Sequence, residues 1–274
     1  ITGGYSYGST TIHGAGMYID TVTVSVMNCT LENNESDGYG GGIYIAISPS
    51  ESVTIDNTVF VQNSADAHGQ GIYINQSDNV LISNCRFSGN NPEHWDKTGG
   101  AIHVQQSDAV IINSIFEDNY GSYGGAIRIL HNCFPVIKGC LFSGNTASHT
   151  GYSGGGGVNA GQNYESVEIY NCTFYNNSPN AVGQWESITN IKNCVIWGNV
   201  QSLGSNGNQT VTYSNVQDGA SGTGNISTNP LWVDASSGDF SLSSGSPGIN
   251  AGDTDTLGVN LPENDVSEYS GVFD

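Results

Sequence analysis

Side chains able to do chemistry gather between positions 94 and 131: His94, Trp95, Lys97, His103, Arg128 and His131. The group holds two of the five basic residues and three of the six histidines in the chain. Removing the proton α to a uronate carboxylate needs a base, and the charge that develops needs a cation to hold it. His103 or Lys97 could act as that base and Arg128 as the carboxylate clamp. The same residues also read as a surface loop beside an ordinary strand, with no chemistry at all. A second, overlapping set is Tyr18, Tyr44, Tyr73, Trp95, His103 and Arg128, whose aromatic faces could stack on pyranose rings. Against the sugar reading stands the ordinary preference of Tyr for strand surfaces, where same-face neighbours support the sheet.

Asp234, Asp239, Asp253 and Asp255 crowd the final segment. Oxygen ligands of this kind suit calcium. A solvated acidic terminus is the competing reading, and no other cofactor is expected. No CxxC pair and no His/Cys spacing for zinc occurs. Five of the six cysteines (Cys29, Cys85, Cys140, Cys172 and Cys194) recur at one position of a repeat, where Thr58 and Ser114 stand in other copies. That interchange points to small buried side chains rather than bonds, although one disulfide between neighbours stays open. Cys133 reads as lying off this ladder, in a turn.

The elements that must position these residues come from an internal repeat. One block reads VSVMNCTLENN from Val24, VTIDNTVFVQN from Val53 and VLISNCRFSGN from Val80. It returns as VIINSIFEDN from Val110, VIKGCLFSGN from Val136, VEIYNCTFYNN from Val167 and ITNIKNCVIWGN from Ile188. Its apolar anchors are Leu31, Phe60, Phe87, Phe116, Phe142, Phe174 and Ile196, spaced by 29, 27, 29, 26, 32 and 22 residues. Three positions after each anchor stands an Asn: Asn34, Asn63, Asn90, Asn119, Asn145, Asn177 and Asn199. Between the blocks lies a second element, GAGMYI, GGGIYI, GQGIYI, GGAIHV, GGAIRI and GGGGVNA. Its period of two predicts a strand with one buried face. Ile43, Ile72, Ile102, Ile127 and Val158 then point inward, and Tyr18, Tyr44, Tyr73, His103, Arg128 and Asn159 point outward.

A coil this short cannot close a core alone, but stacked coils can. Like residues then lie on like at the parallel-strand spacing of ~4.8 Å, which explains columns of Asn, Ile, Phe and Cys. Each buried Asn amide can bond the Asn one coil away. The earlier Asn of each block (Asn28, Asn57, Asn84, Asn113, Asn171, Asn193) falls at a bend where the left-handed conformation is needed, which Asn tolerates. Nine leucines are too few for leucine-rich repeats, the coils are shorter than propeller blades, and the Asp of calcium-binding nonapeptide coils is missing from GGGGVNAG. The expected architecture is all-β: a right-handed single-stranded parallel β-helix, three short strands per coil, with about eight to nine coils. It occupies residues 1–253 with its closing segment, followed by an acidic tail over 254–274.

The GGAI strand followed by FxxN resembles the repeats of the polymorphic outer-membrane protein family of surface adhesins. The three-strand coil with an Asn ladder resembles the pectate-lyase-like β-helix superfamily. Asn229 to Asp253, NPLWVDASSGDFSLSSGSPGINAGD, is similar to the closing segment of many secreted bacterial β-helix proteins. The superfamily resemblance implies a cleft along the outward face of one sheet, here the Tyr18 to Asn159 column. Calcium-dependent lyases of that fold use acidic residues there, whereas Asp20 alone is acidic among this column and its next outward neighbours.

The 274 residues carry 25 acids against 5 bases, a net charge of −20. Such a surface repels nucleic acid, whose binding rests on neutralised phosphates, and disfavours polyuronates and anionic membranes. Charged residues are 11% of the chain, against ~25% in ordinary soluble domains. Asn (31) and Gly (38) take their place, as suits a chain that turns often. The chain opens on Ile1 without an initiator Met, which reads as a processed product or a piece of something longer. No apolar run reaches the ~20 residues of a membrane span. The functional expectation is a non-catalytic extracellular or cell-surface module, structural or adhesive. Its expected partners are surface glycans or further copies stacked end to end. The alternative is a polysaccharide lyase or other carbohydrate-active enzyme working on the Tyr/His/Arg column.

Overall fold

The structure is a computed structural model and describes residues 1–7, 13–91, 100–151, 153–162 and 164–253. His94, Trp95, Lys97, Asp255 and the 254–274 tail lie outside the described residues. Three columns of parallel strands stack along one axis. The first runs through Met17–Asp20, Ile43–Ala46, Ile72–Asn75, Ile102–Gln105, Ile127–Leu130 and Val158–Gly161. The second runs through Val24–Met27, Val53–Asp56, Val80–Ser83, Ala109–Ile112, Val136–Lys138 and Ser166–Tyr170. Beyond these the two columns fuse, because Asn180–Lys192 pairs with both Val158–Gly161 and Ser166–Tyr170 and is itself paired by Gln201–Thr212. The third column is an eight-stranded sheet from Thr30–Glu32 to Asn215–Val216, which sets eight coils. Short fourth strands, such as Glu35–Ser36 and Ser64–Ala65, also pair in parallel, an element the three-strand expectation lacks.

The stacking places like on like. Ile43, Ile72, Ile102, Ile127 and Val158 are neighbours in register and fully buried. So are Phe60, Phe87, Phe116, Phe142 and Phe174, whose ring centroids are 4.6, 4.9, 4.9 and 4.6 Å apart. Adjacent rings are nearly parallel, within 7°, so each coil repeats the packing of the last. The glycines that lead the first column make this approach feasible. A Cβ on Gly71 would sit 2.6 Å from the Ala101 carbonyl oxygen and 3.2 Å from the Phe87 ring, so a side chain there would push two coils apart.

Polar ladders flank this core. Each ladder carboxamide from Asn34 to Asn177 donates to the Oδ1 of the Asn on the next coil, at 2.8–3.1 Å. The second amide hydrogen goes to a carbonyl one coil back, as from Asn119 to Phe87 at 3.0 Å. Both donors of each amide are thus satisfied in a place no water reaches. The bend asparagines Asn28, Asn57, Asn84, Asn113, Asn171 and Asn193 all have φ between 45° and 54°, as the sequence leads one to expect.

No disulfide joins the six cysteines, of which Cys29 is half-buried and the rest buried. On the expected ladder, Cys172 and Cys194 accept from a backbone N–H no differently from Thr58 and Ser114: Cys140 N–H to Cys172 Sγ and Cys172 N–H to Cys194 Sγ are 3.5 Å, and Cys85 N–H to Ser114 Oγ is 3.1 Å. Cys133 lies off that ladder, as expected, just after the bend at His131 and Asn132. It closes a second ladder, in which Ile47 N–H donates to Ser77 Oγ, Ser77 N–H to Ser107 Oγ and Ser107 N–H to Cys133 Sγ. The signal was present in the Gln-Ser pairs at 76–77 and 106–107, which share their place with Asn132-Cys133.

The closing segment returns along the flank of the solenoid. Trp232–Asp234 and Asp239–Leu242 form an antiparallel hairpin. Trp232 and Phe240 pack edge-on with each other and with Tyr175 of the third column, at 5.1–5.4 Å. Asp253 accepts an ion pair from Lys192 at 2.8 Å, and its backbone exchanges two hydrogen bonds with the Asn193 side chain at 2.9 Å. At the end of the stack, Gln201–Thr212 leaves Gln201, Asn206, Asn208 and Thr210 exposed. Its outer edge is partly occupied, Ser202 N–H donating to Asp218 and the Val211 carbonyl accepting from Asn225.

Candidate functional site

The Tyr18, Tyr44, Tyr73, His103, Arg128, Asn159 column faces away from the solenoid core, in continuous register. It does not face solvent. Tyr18 is 52% exposed, but Tyr44, Tyr73, His103, Arg128 and Asn159 are all buried. The expectation of an open cleft along these residues is therefore corrected: a second row of side chains lies over the first. These come from the turns, five residues before Tyr18, Tyr44, Tyr73 and Arg128: His13, Tyr39, His68 and Tyr123.

The two rows interleave. His13 stacks on Tyr44 at 4.2 Å and 9°, Tyr39 lies against Tyr73 at 4.7 Å, and His68 stacks on His103 at 4.8 Å and 10°. Within the column, Tyr18 and Tyr44 are 5.1 Å apart at 2°, and Tyr73 and His103 are 5.2 Å apart. Burial raises the phenol pKa of both Tyr44 and Tyr73. The faces that would stack on sugar from Tyr44 to His103 are already stacked on the chain's own rings. The covering row was legible in the sequence as an aromatic residue just before four of the six glycine-led strands, in HGAG, YGGG, HGQG and YGGA.

Past His103 the double row opens. Arg128 pairs in register with His103 on one side and Asn159 on the other. Its guanidinium lies 4.8 Å over the Tyr123 ring, a cation–π contact. It rests on Gly161, where a Cβ would come within 2.6 Å of Nη2. Arg128 Nε and Nη1 are buried with no hydrogen-bond partner, and among the described residues no carboxylate pairs with it. Desolvation holds its pKa down, at about 10, so it stays cationic at neutral pH. Here a pocket of about 520 Å³ is lined by Arg128, Tyr123, His149, Gln162, Trp185 and Asn206, among others. Trp185, 37% exposed, sits where the strand register shifts between Trp185 and Ile188, beside Glu186 at φ 49°. Trp185, His149 and Gln162 were not anticipated, because no repeat position marks them.

The remaining candidates separate. Asp234 caps the short 3-10 turn Ala235–Ser237, and hydrogen bonds from Ser236 and Ser237 lower its pKa. Asp239 accepts from Ser241 N–H at 3.0 Å, and Asp253 is paired with Lys192. Among the described residues, no three His, Cys, Asp or Glu side chains converge as metal ligands. His131 is half-buried, with φ 63° at a turn.

Residues 7–228 match the family model described as the right-handed β-helix region. No curated protein and no solved structure matches the chain. The matched span covers the eight parallel coils, their ladders and the Arg128 pocket, and the chain belongs to the right-handed β-helix family.

Proposed function

We propose that this protein is a non-catalytic β-helix of the extracellular space or cell surface, acting as a structural or adhesive module. The observation that carries this reading is the sealed column. From Tyr44 to His103, the face on which a polysaccharide would lie in an enzyme of this architecture is filled by His13, Tyr39 and His68. His103, the residue best suited to act as base, is fully buried and stacked. A base must reach the proton it removes, and burial under a ring opposes that. Surface glycans remain the partner class of this reading. End-to-end stacking of copies is supported by the polar, partly occupied strand edge Gln201–Thr212.

The competing reading, a polysaccharide lyase or other carbohydrate-active enzyme, draws on Arg128 lying one coil from His103. An ultraviolet assay for unsaturated uronate products across a polysaccharide panel separates the two. The proposal expects no turnover. Product formation abolished by both His103→Ala and Arg128→Ala would overturn it. Electron microscopy of the purified protein tests the stacking arm, with fibres expected and uniformly single particles counting against it.

A further inference from the structure

In a chain with 25 acidic and 5 basic side chains, a guanidinium buried away from every described carboxylate has an evident lack. Burying a charge without a partner costs several kcal/mol. Arg128 bears that cost in a pocket open on one side, not in a closed core. Three features of the pocket indicate what would satisfy it. Among the described residues no Asp or Glu lines it, so the guanidinium is the charge that selects the ligand. Gln162, Asn206 and His149 offer amide and imidazole groups suited to hydroxyls. Trp185 brings a part-exposed ring suited to the C–H face of a saturated ring, whereas the Tyr123 ring is covered by Arg128 and stacked with His149.

We propose that the Arg128 pocket is a binding site for one acidic sugar unit, whose carboxylate meets the guanidinium and whose ring packs against Trp185. A carboxylate matches the planar fork of Arg. It also carries a single negative charge, which the net charge of −20 opposes less than it opposes a dianion such as phosphate. The sealed column beyond His103 limits the site to a unit that enters the pocket alone, either a free monosaccharide or the end of a glycan chain. The inference rests on the adhesive reading in one respect: the pocket holds its ligand without turning it over.

The test uses the full chain and follows tryptophan fluorescence and calorimetry with D-glucuronate, D-glucose and inorganic phosphate. Two oligosaccharides complete the set, one ending in glucuronate and one carrying it internally. Glucuronate is expected to bind at least roughly tenfold more tightly than glucose or phosphate, and Arg128→Gln to remove that preference. Trp185→Ala, at a part-exposed position, is expected to weaken glucuronate about fivefold. Gly161→Ala, which pushes on the guanidinium rather than removing it, should weaken glucuronate more than glucose. That variant keeps the test decisive where Arg128→Gln fails to fold. Tighter binding of the end-linked oligosaccharide than of free glucuronate identifies a glycan terminus as the source, and the reverse order identifies the free acid. Equal affinity for glucose and glucuronate, preference for phosphate, unchanged binding by Arg128→Gln, or no binding by any of the acids would overturn the proposal. Product in the ultraviolet assay is a separate outcome and counts against the non-catalytic reading alone.

Discussion

Asn119 and Asn145 are joined twice across adjacent coils: the Asn119 Nδ2 group donates to Asn145 Oδ1 at 2.9 Å, and the Asn119 backbone N–H donates to the same oxygen at 3.1 Å. Asn145 in turn donates to the Phe116 carbonyl at 2.9 Å and to Asn177 Oδ1 at 3.0 Å. One carboxamide thus ties three coils together through four hydrogen bonds, all out of water.

Asn145→Ala leaves two donors of Asn119 and the Phe116 carbonyl without that partner. Each buried group stranded this way costs ~1–3 kcal/mol, so a loss of about 3 kcal/mol is expected in urea unfolding. A loss below about 1 kcal/mol would mean that water or a neighbour replaces the amide, and that the ladder is not what holds the coils in register.

The thiols give a pH signature. Burial pushes Cys133 up to about 11 and Cys85 up to about 12, whereas unfolded cysteines titrate near ~8.5. A raised folded pKa means the native state keeps protons that the unfolded state releases. This contribution to stability is complete below the unfolded value and is lost as pH rises through the folded ones. Unfolding midpoints measured from pH 8 to pH 11 should therefore fall. Thiol titration of the native protein near pH 8 should detect Cys29 first, with all six appearing after unfolding without reductant. Recovery of no thiols after unfolding would contradict this.

Arg128→Met should leave the unliganded protein as stable or stabilise it, by roughly 1 kcal/mol. Relief of an unpaired buried charge, worth several kcal/mol, outweighs a cation–π contact of ~2 kcal/mol. Thermal melts decide the sign. A clear drop in melting temperature would show that the guanidinium has a structural partner after all.

The flank contacts of the closing segment are testable by limited proteolysis. Asn193→Ala removes both hydrogen bonds to the Asp253 backbone, and Trp232→Ala removes the contact with Tyr175. Either change should speed cleavage within 229–253, with the eight coils protected. Equal protection in wild type and both variants would place the hold on this segment elsewhere.

The repeat itself determined the solenoid. The Phe and Asn columns follow from a parallel stack in which every coil repeats the last, so one-dimensional spacing in the chain becomes vertical alignment in space. Ile72 above Ile102 and Phe87 above Phe116 were readable from the sequence for that reason. The left-handed bends at Asn57 and Asn84 were readable too, because a local conformational demand leaves a local residue preference. What alternation cannot say is whether a side chain that leaves the core reaches water. His103 and Tyr73 point outward as their period of two requires, yet they are buried, because the turn residues His68 and Tyr39 of the preceding coil fold over them. The Arg128 pocket depends still more on tertiary structure. Tyr123, His149, Gln162 and Trp185 come from three successive coils, and Trp185 joins them at a register shift that no repeat position encodes. A strand's own pattern fixes which way its side chains leave the sheet, but their surroundings are set by the turns of other coils that pack against them.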